Sequence, residues 1–125
     1  MKFILDDANS GHTIQHYTVN EITISGNVYR ESLVLMPDRI IPQWRPTSFD
    51  ELKVEDFIHI AAFSPEIIVL GTGSKQHFPS QELLLPLIEK QVGLEVMATD
   101  AACRTYNILM SEGRQVAAAL LMIRD

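Results

Sequence analysis

The run Glu66-Ile67-Ile68-Val69-Leu70, closed by Gly71-Thr72-Gly73-Ser74, constrains the fold most. A strand with one face in water alternates apolar and polar residues. This run offers no polar side and reads as a strand covered on both faces. The segments around it supply the covers. Glu55 to Phe63 carries Phe57, Ile58, Ile60, Ala61 and Ala62 before Ser64-Pro65 stops it, which predicts a short helix. Ser80 is a candidate N-cap for a helix over Gln81 to Gln91 that closes at Gly93. Pro86 conflicts with that helix. It lacks the N–H that would bond back to Glu82, and an interior proline costs ~3 kcal/mol. The sequence therefore predicts a kink, or a helix that begins at Leu85-Pro86.

Leu94 to Ala98 is a second short apolar strand. Thr99 or Asp100 can cap the next helix, where Ala102, Tyr106, Leu109 and Met110 share one face and Glu112-Gly113 is the stop. Gln115 to Ile123 is a final apolar strand. Helices alternating with strands predict an α/β fold, with helices packed on a largely parallel or mixed sheet.

The first part of the chain reads as β. Thr13 to Val19 and Glu21 to Ser25 are rich in β-branched and aromatic residues. Gly26-Asn27 supplies a turn, and Val28 to Met36 continues as a further apolar run. Together they predict an N-terminal β hairpin or meander. Pro37, Pro42 and Pro46 punctuate the stretch holding Ile40, Ile41 and Trp44, which restricts it to an edge strand or an ordered loop.

A chain of 125 residues is the size of one domain, so residues 1–125 are read as a single unit. With 46% hydrophobic and 21% charged residues it has the composition of a packed globular domain. The formal net charge of −6 and ten scattered basic residues argue against nucleic acid or an anionic membrane as partner. Cys103 is the only cysteine, which excludes an internal disulfide and fits a reducing compartment. The apolar run at Met1–Leu5 is too short for a signal peptide, and Val116 to Ile123 is far short of the ~20 residues of a membrane helix. A cytoplasmic protein without membrane insertion is the expectation.

If Ile67–Leu70 and Leu94–Ala98 are parallel neighbours, both end at one edge of the sheet. That edge gathers Gly71, Thr72, Gly73, Ser74 and Lys75 from one loop and Thr99 and Asp100 from the other, with Arg104 one turn further on. Open α/β sheets bind ligands outside the carboxyl ends of their strands. Two glycines would let backbone N–H groups approach an anionic group such as a carboxylate or phosphate, Lys75 would add charge, and Arg104 would add a bidentate contact. The loop nevertheless completes neither the dinucleotide nor the Walker fingerprint, and a tight strand-to-helix turn needing positive φ explains the glycines equally.

Cys103 lies early in its helix, where the dipole and Arg104 would lower a thiol pKa; the alternative is a small hydrophobe packed in the core. His12 and His16 would share one face of a strand, but no further ligands complete a metal site. His59 and His77 stand apart from them in sequence, and Asp6-Asp7 reads as a solvated turn-forming pair. No catalytic residue, metal or cofactor is assigned. Trp44, between two prolines, is either a partner anchor or a core residue.

A wider pattern lies in the second half: Val69-Leu70-Gly71-Thr72-Gly73, then Phe78-Pro79, then Gly93-Leu94-Glu95-Val96-Met97. Thr99 to Asn107, Glu112-Gly113-Arg114 and Val116 to Leu120 complete it. This ordered set resembles the domain-of-unknown-function family 498, the Mth938-like fold, whose eukaryotic relatives include a mitochondrial assembly factor for respiratory complex I. The resemblance implies a single-domain layered fold, with a mixed central sheet flanked by helices and an added β element. It carries over no catalytic residue. It implies a protein-interaction or assembly-factor-like module, with membrane-complex assembly or biogenesis machinery as partner and homo-oligomerisation possible. The absence of a mitochondrial targeting stretch points to a bacterial-type member.

Overall fold

The computed structural model describes residues 11–124; Asp6-Asp7 and the apolar run Met1–Leu5 lie outside them. Eight strands and three helices follow in chain order. Strands β1 (Ile14–Thr18), β2 (Glu21–Ile24) and β3 (Asn27–Tyr29) form an antiparallel meander. Strands β4 (Leu33–Met36) and β5 (Arg39–Ile41) enter a second sheet, and a single 3₁₀ turn at Phe49–Glu51 follows. Then come α1 (Val54–Ala61), β6 (Ile67–Thr72), α2 (Gln81–Glu89), β7 (Gly93–Met97), α3 (Thr99–Ser111) and β8 (Val116–Leu121). The second sheet has the order β5-β4-β8-β6-β7. Its β6–β7 and β6–β8 pairs are parallel, and its β4–β5 and β4–β8 pairs are antiparallel, so the sheet is mixed.

Alternation along the central strands builds two cores. Leu33, Leu35, Val69, Ala118 and Leu120 face one side, where α3 and the meander cover them. Val34, Ile68, Leu70, Ala117 and Ala119 face the other, beneath α1 and α2. All six residues of β8 are buried, and three of them are alanines. Small side chains at the centre leave room for helices on both faces at native packing density.

Several local details differ from the sequence reading. The β2–β3 turn is Ser25-Gly26, one residue earlier than expected. Both residues have positive φ, 51° and 84°, as a two-residue hairpin loop requires. The Val28–Met36 run is broken at residues 30–32, because β3 belongs to the meander and β4 to the central sheet. Helix α2 begins at Gln81 and runs through Pro86, with Ser80 at the N-cap and no side-chain cap bond. Its left-handed C-terminal residue is Gln91 (φ 58°), not Gly93. Val92 N–H donates to Leu87 O at 2.9 Å and Gln91 N–H to Ile88 O at 3.1 Å, which closes the helix as a Schellman motif. Helix α3 is capped by Ala98, so neither Thr99 nor Asp100 is its N-cap. It ends as expected at Gly113 (φ 81°).

Trp44 is 8% exposed and packs with Val34, Phe57 and Ile60 in the core beneath α1. Its Nε1 meets no acceptor among the described residues. That burial gives the indole to the core rather than to a partner surface. Nearby, Arg45 grips the buried carboxylate of Asp56 with Nε to Oδ1 at 3.0 Å and Nη2 to Oδ2 at 2.7 Å, tying the proline-rich stretch to α1. Replacing Trp44 with Ala should therefore lower unfolding stability by about 3–5 kcal/mol, measured by urea denaturation; a surface anchor would leave the midpoint unmoved.

Candidate functional site

The parallel strands β6 and β8 end side by side, with Thr72 in register with Leu121. A cleft of about 440 Å³ opens there. It is bounded by Thr72, Gly73, Ser74 and Lys75 on one side and by residues 47–50 on the other. His77, Met122 and Arg124 complete its wall. The rings of Phe49 and His77 lie 5.1 Å apart at its margin. The position is the carboxyl edge that topology favours for ligands. It falls on the β8 side of β6, whereas the sequence pointed to the β7 side.

The loop's polar groups are largely engaged by the protein itself. Gly73 N–H donates to Thr99 Oγ1 at 2.8 Å, and Thr99 N–H donates back to Gly73 O at 2.9 Å. Thr99 Oγ1 also donates to Leu121 O at 2.6 Å. One fully buried hydroxyl thus holds together the end of β6, the start of α3 and the end of β8. Thr72 Oγ1 donates to Lys75 O at 2.5 Å and accepts from His77 N–H at 3.1 Å, so the loop folds around it. Ser74 Oγ donates to Arg124 O. Gly71 is required by close approach: a Cβ there would sit 2.9 Å from Thr99 Oγ1 and 3.0 Å from Leu120 Cδ2. Gly73 has φ 99°, a left-handed conformation that side chains rarely adopt. Packing and turn geometry account for both glycines.

The candidate residues therefore divide. Gly73, Ser74, Lys75 and Thr72 border the cleft; Gly71 and Thr99 are structural, and Asp100 and Arg104 point elsewhere. The Asp100 carboxylate accepts from Ala101 N–H at 2.8 Å, within its own helix. Arg104 does not turn inward. Its Nη1 donates to Tyr17 Oη at 2.6 Å on the meander. Thr47, Phe49 and Arg124 reach the cleft without any signal in the sequence, because the β6 loop they face is distant along the chain, while His77 lies two residues beyond Lys75 in that loop.

Cys103 is buried in the α3 core, and desolvation, reinforced by the Asp100 charge, pushes its thiol up to about 12. Burial outweighs the helix dipole and Arg104, so the thiol stays protonated at neutral pH. His12 lies outside β1, with its Nδ1 3.0 Å from Ser25 Oγ. Among the described residues, no group of three or more His, Cys, Asp or Glu gathers as a metal site.

Residues 14–121 match the family described as "Protein of unknown function (DUF498/DUF598)". The chain belongs to this family. Among curated proteins it is similar to the zebrafish NADH dehydrogenase [ubiquinone] 1 alpha subcomplex assembly factor 3, with 33% identity over 117 residues and 92% of this chain. It spans 67% of that protein's length and 59% of the mouse counterpart's. A crystal structure of a Bordetella parapertussis protein superposes with a TM-score of 0.85 at 33% identity, covering 90% of this chain and 96% of the other. The solution structure of a Mth938-like domain from Bordetella pertussis has a TM-score of 0.85 at 28% identity, covering 100% of this chain and 94% of the other. The family's mixed sheet and added β element are those described above.

Thr99→Val should cost about 1–3 kcal/mol by leaving Gly73 N–H and Leu121 O buried without partners. Thr99→Ser should cost less, and chemical denaturation of both variants distinguishes them. In the folded chain at pH 8, Cys103 should react with a disulfide reagent orders of magnitude more slowly than in denaturant, as followed by absorbance.

Proposed function

We propose that this chain is a non-enzymatic protein-interaction module of the assembly-factor type, working in the cytoplasm on a membrane-complex assembly or biogenesis partner. The observation that carries this reading is the alignment of a named assembly factor across 92% of the chain. The chemistry of the fold supports it. The thiol is buried and protonated, and the hydroxyls of Thr72 and Thr99 are committed to backbone partners. None of the helices among the described residues is long and apolar enough to cross a membrane. Cross-linking in the source cells followed by purification and mass spectrometry should recover a stoichiometric partner from such a complex. Recovery of this chain alone would overturn the reading.

The 440 Å³ cleft favours one second reading, the binding of a small anion. Lys75 and Arg124 supply two positive charges to its wall against the single carboxylate of Asp50, with the Ser48 hydroxyl opposite. A panel of carboxylates and phosphates should then raise the melting temperature, because a ligand that binds only the native state stabilises it. The rise should vanish in Lys75→Ala. A panel without any shift removes this reading.

A further inference from the structure

Helices α1 and α2 pack together on the side of the central sheet away from α3, and leave a groove between them. Its volume is about 430 Å³. Val54, Ile58 and Ala61 form one wall, and Leu85 and Pro86 the other. Ile58 is 47% exposed, Leu85 50%, and Ile88, one turn along from Leu85, 62%. Large aliphatic side chains grouped on adjacent helices form a patch, unlike single surface leucines, which need no explanation.

Two observations give this groove an electrostatic character. First, Glu82 and Glu89 line its α2 side. Neither is in an ion pair among the described residues, and the one cation that lines the groove with them is Lys90, at the helix end. Second, Pro86 lies inside the helix and has no N–H, so the carbonyl of Glu82 loses its helical donor. A helical carbonyl points toward residue i+4, which aims this one along the ridge of residues 82, 85, 86 and 89. Those are the α2 residues that line the groove. A carbonyl without its usual i+4 donor thus lies between two carboxylates at the edge of an apolar surface.

We propose that the α1–α2 groove docks an amphipathic helix of a partner protein, with an apolar ridge flanked by Lys or Arg. This deepens, and rests on, the reading of the chain as an interaction module. Glu82 and Glu89 are seven residues apart, roughly 10 Å along the helix, so the partner's cations sit two turns apart with the apolar anchors between them. The overall charge of −6 steers a basic partner toward the chain and repels an acidic one. A second copy is disfavoured as occupant. A two-fold pairing of this face on itself would bring together two rims that each carry two carboxylates against the single lysine Lys90, a net repulsion.

The test is selection of a displayed, randomised library of amphipathic helical peptides against the unaltered 125-residue chain. Selected peptides should lose at least ten-fold in affinity toward Leu85→Glu and Ile58→Glu, and should be enriched in Lys and Arg beside the apolar ridge. The Glu82→Lys/Glu89→Lys double variant should reverse that charge preference. Both apolar positions are exposed, and unchanged circular dichroism and melting temperature verify that the variants fold. A selected set without basic excess, or binding indifferent to both substitutions, overturns the proposal. So does a dimer of the chain alone that Leu85→Glu converts to monomer in sedimentation. A cross-linked cellular partner that Ile58→Glu and Leu85→Glu leave in place overturns this surface while the interaction-module reading stands. Recovery of no cellular partner counts against that reading, whatever the peptides do.

Discussion

The fold turns on β8, the last strand in sequence and the middle one in space. It pairs antiparallel with β4 and parallel with β6, and every one of its six residues is buried. Without it, β4–β5 and β6–β7 are two separate ribbons, each with an open hydrogen-bonding edge and half a core. A parallel pair closed between such distant segments carries a loop-closure cost that only burial on both faces repays. The alanines at 117–119 let α3 approach on one side and α1 on the other. The meander then completes the α3 side. Asn107 exchanges hydrogen bonds with both backbone groups of Ile14 at 2.9 Å, and Tyr106 Oη donates to His12 O at 2.8 Å.

Because β8 must be held at its carboxyl end, the edge where α/β folds commonly bind ligands is partly taken up by structure. Thr99 is the fastener: one hydroxyl joins β6, β8 and α3, and Gly71 has no Cβ because Thr99 occupies that space. What the loop leaves to solvent is the side of Lys75, facing the 3₁₀ turn across the cleft. The opposite end of the functional range lies on α1 and α2, where Ile58, Leu85 and Ile88 remain half-exposed beside unpaired carboxylates. Polar groups are satisfied internally at one surface, and apolar and acidic groups are exposed at another, and the proposed interaction module rests on that contrast.

Much of this was legible in the chain itself. The apolar Ile67–Leu70 run, the i, i+4, i+8 face of Ala102, Tyr106 and Met110, and the stop at Gly113 were readable because each depends on neighbours within a few residues. The burial of Trp44 was not readable, since its neighbours Val34 on β4 and Phe57 and Ile60 on α1 lie ten or more residues away along the chain. The start of α2 ahead of Pro86 was left open for a related reason. Local propensity resists a proline at the sixth helical position, yet Leu87 and the half-buried Leu83 and Leu84 are anchored in the core, and that packing outweighs one lost hydrogen bond.

The site divides along the same line. The sequence by itself determined that Gly71 to Lys75 ends a buried strand and that Thr99 and Asp100 begin a helix, because strand and helix ends follow from short-range pattern and turn chemistry; that both lie at one edge of the sheet follows from the parallel β6–β7 pairing. Only the tertiary structure decided that β8 lies beside β6, and therefore that Thr99 fastens the core while Phe49, His77 and Arg124 border the cleft. It also decided that Arg104 reaches Tyr17 and not the loop. Strand order is set by the total burial of both faces of a sheet, a property of the assembled molecule that no local stretch of residues contains.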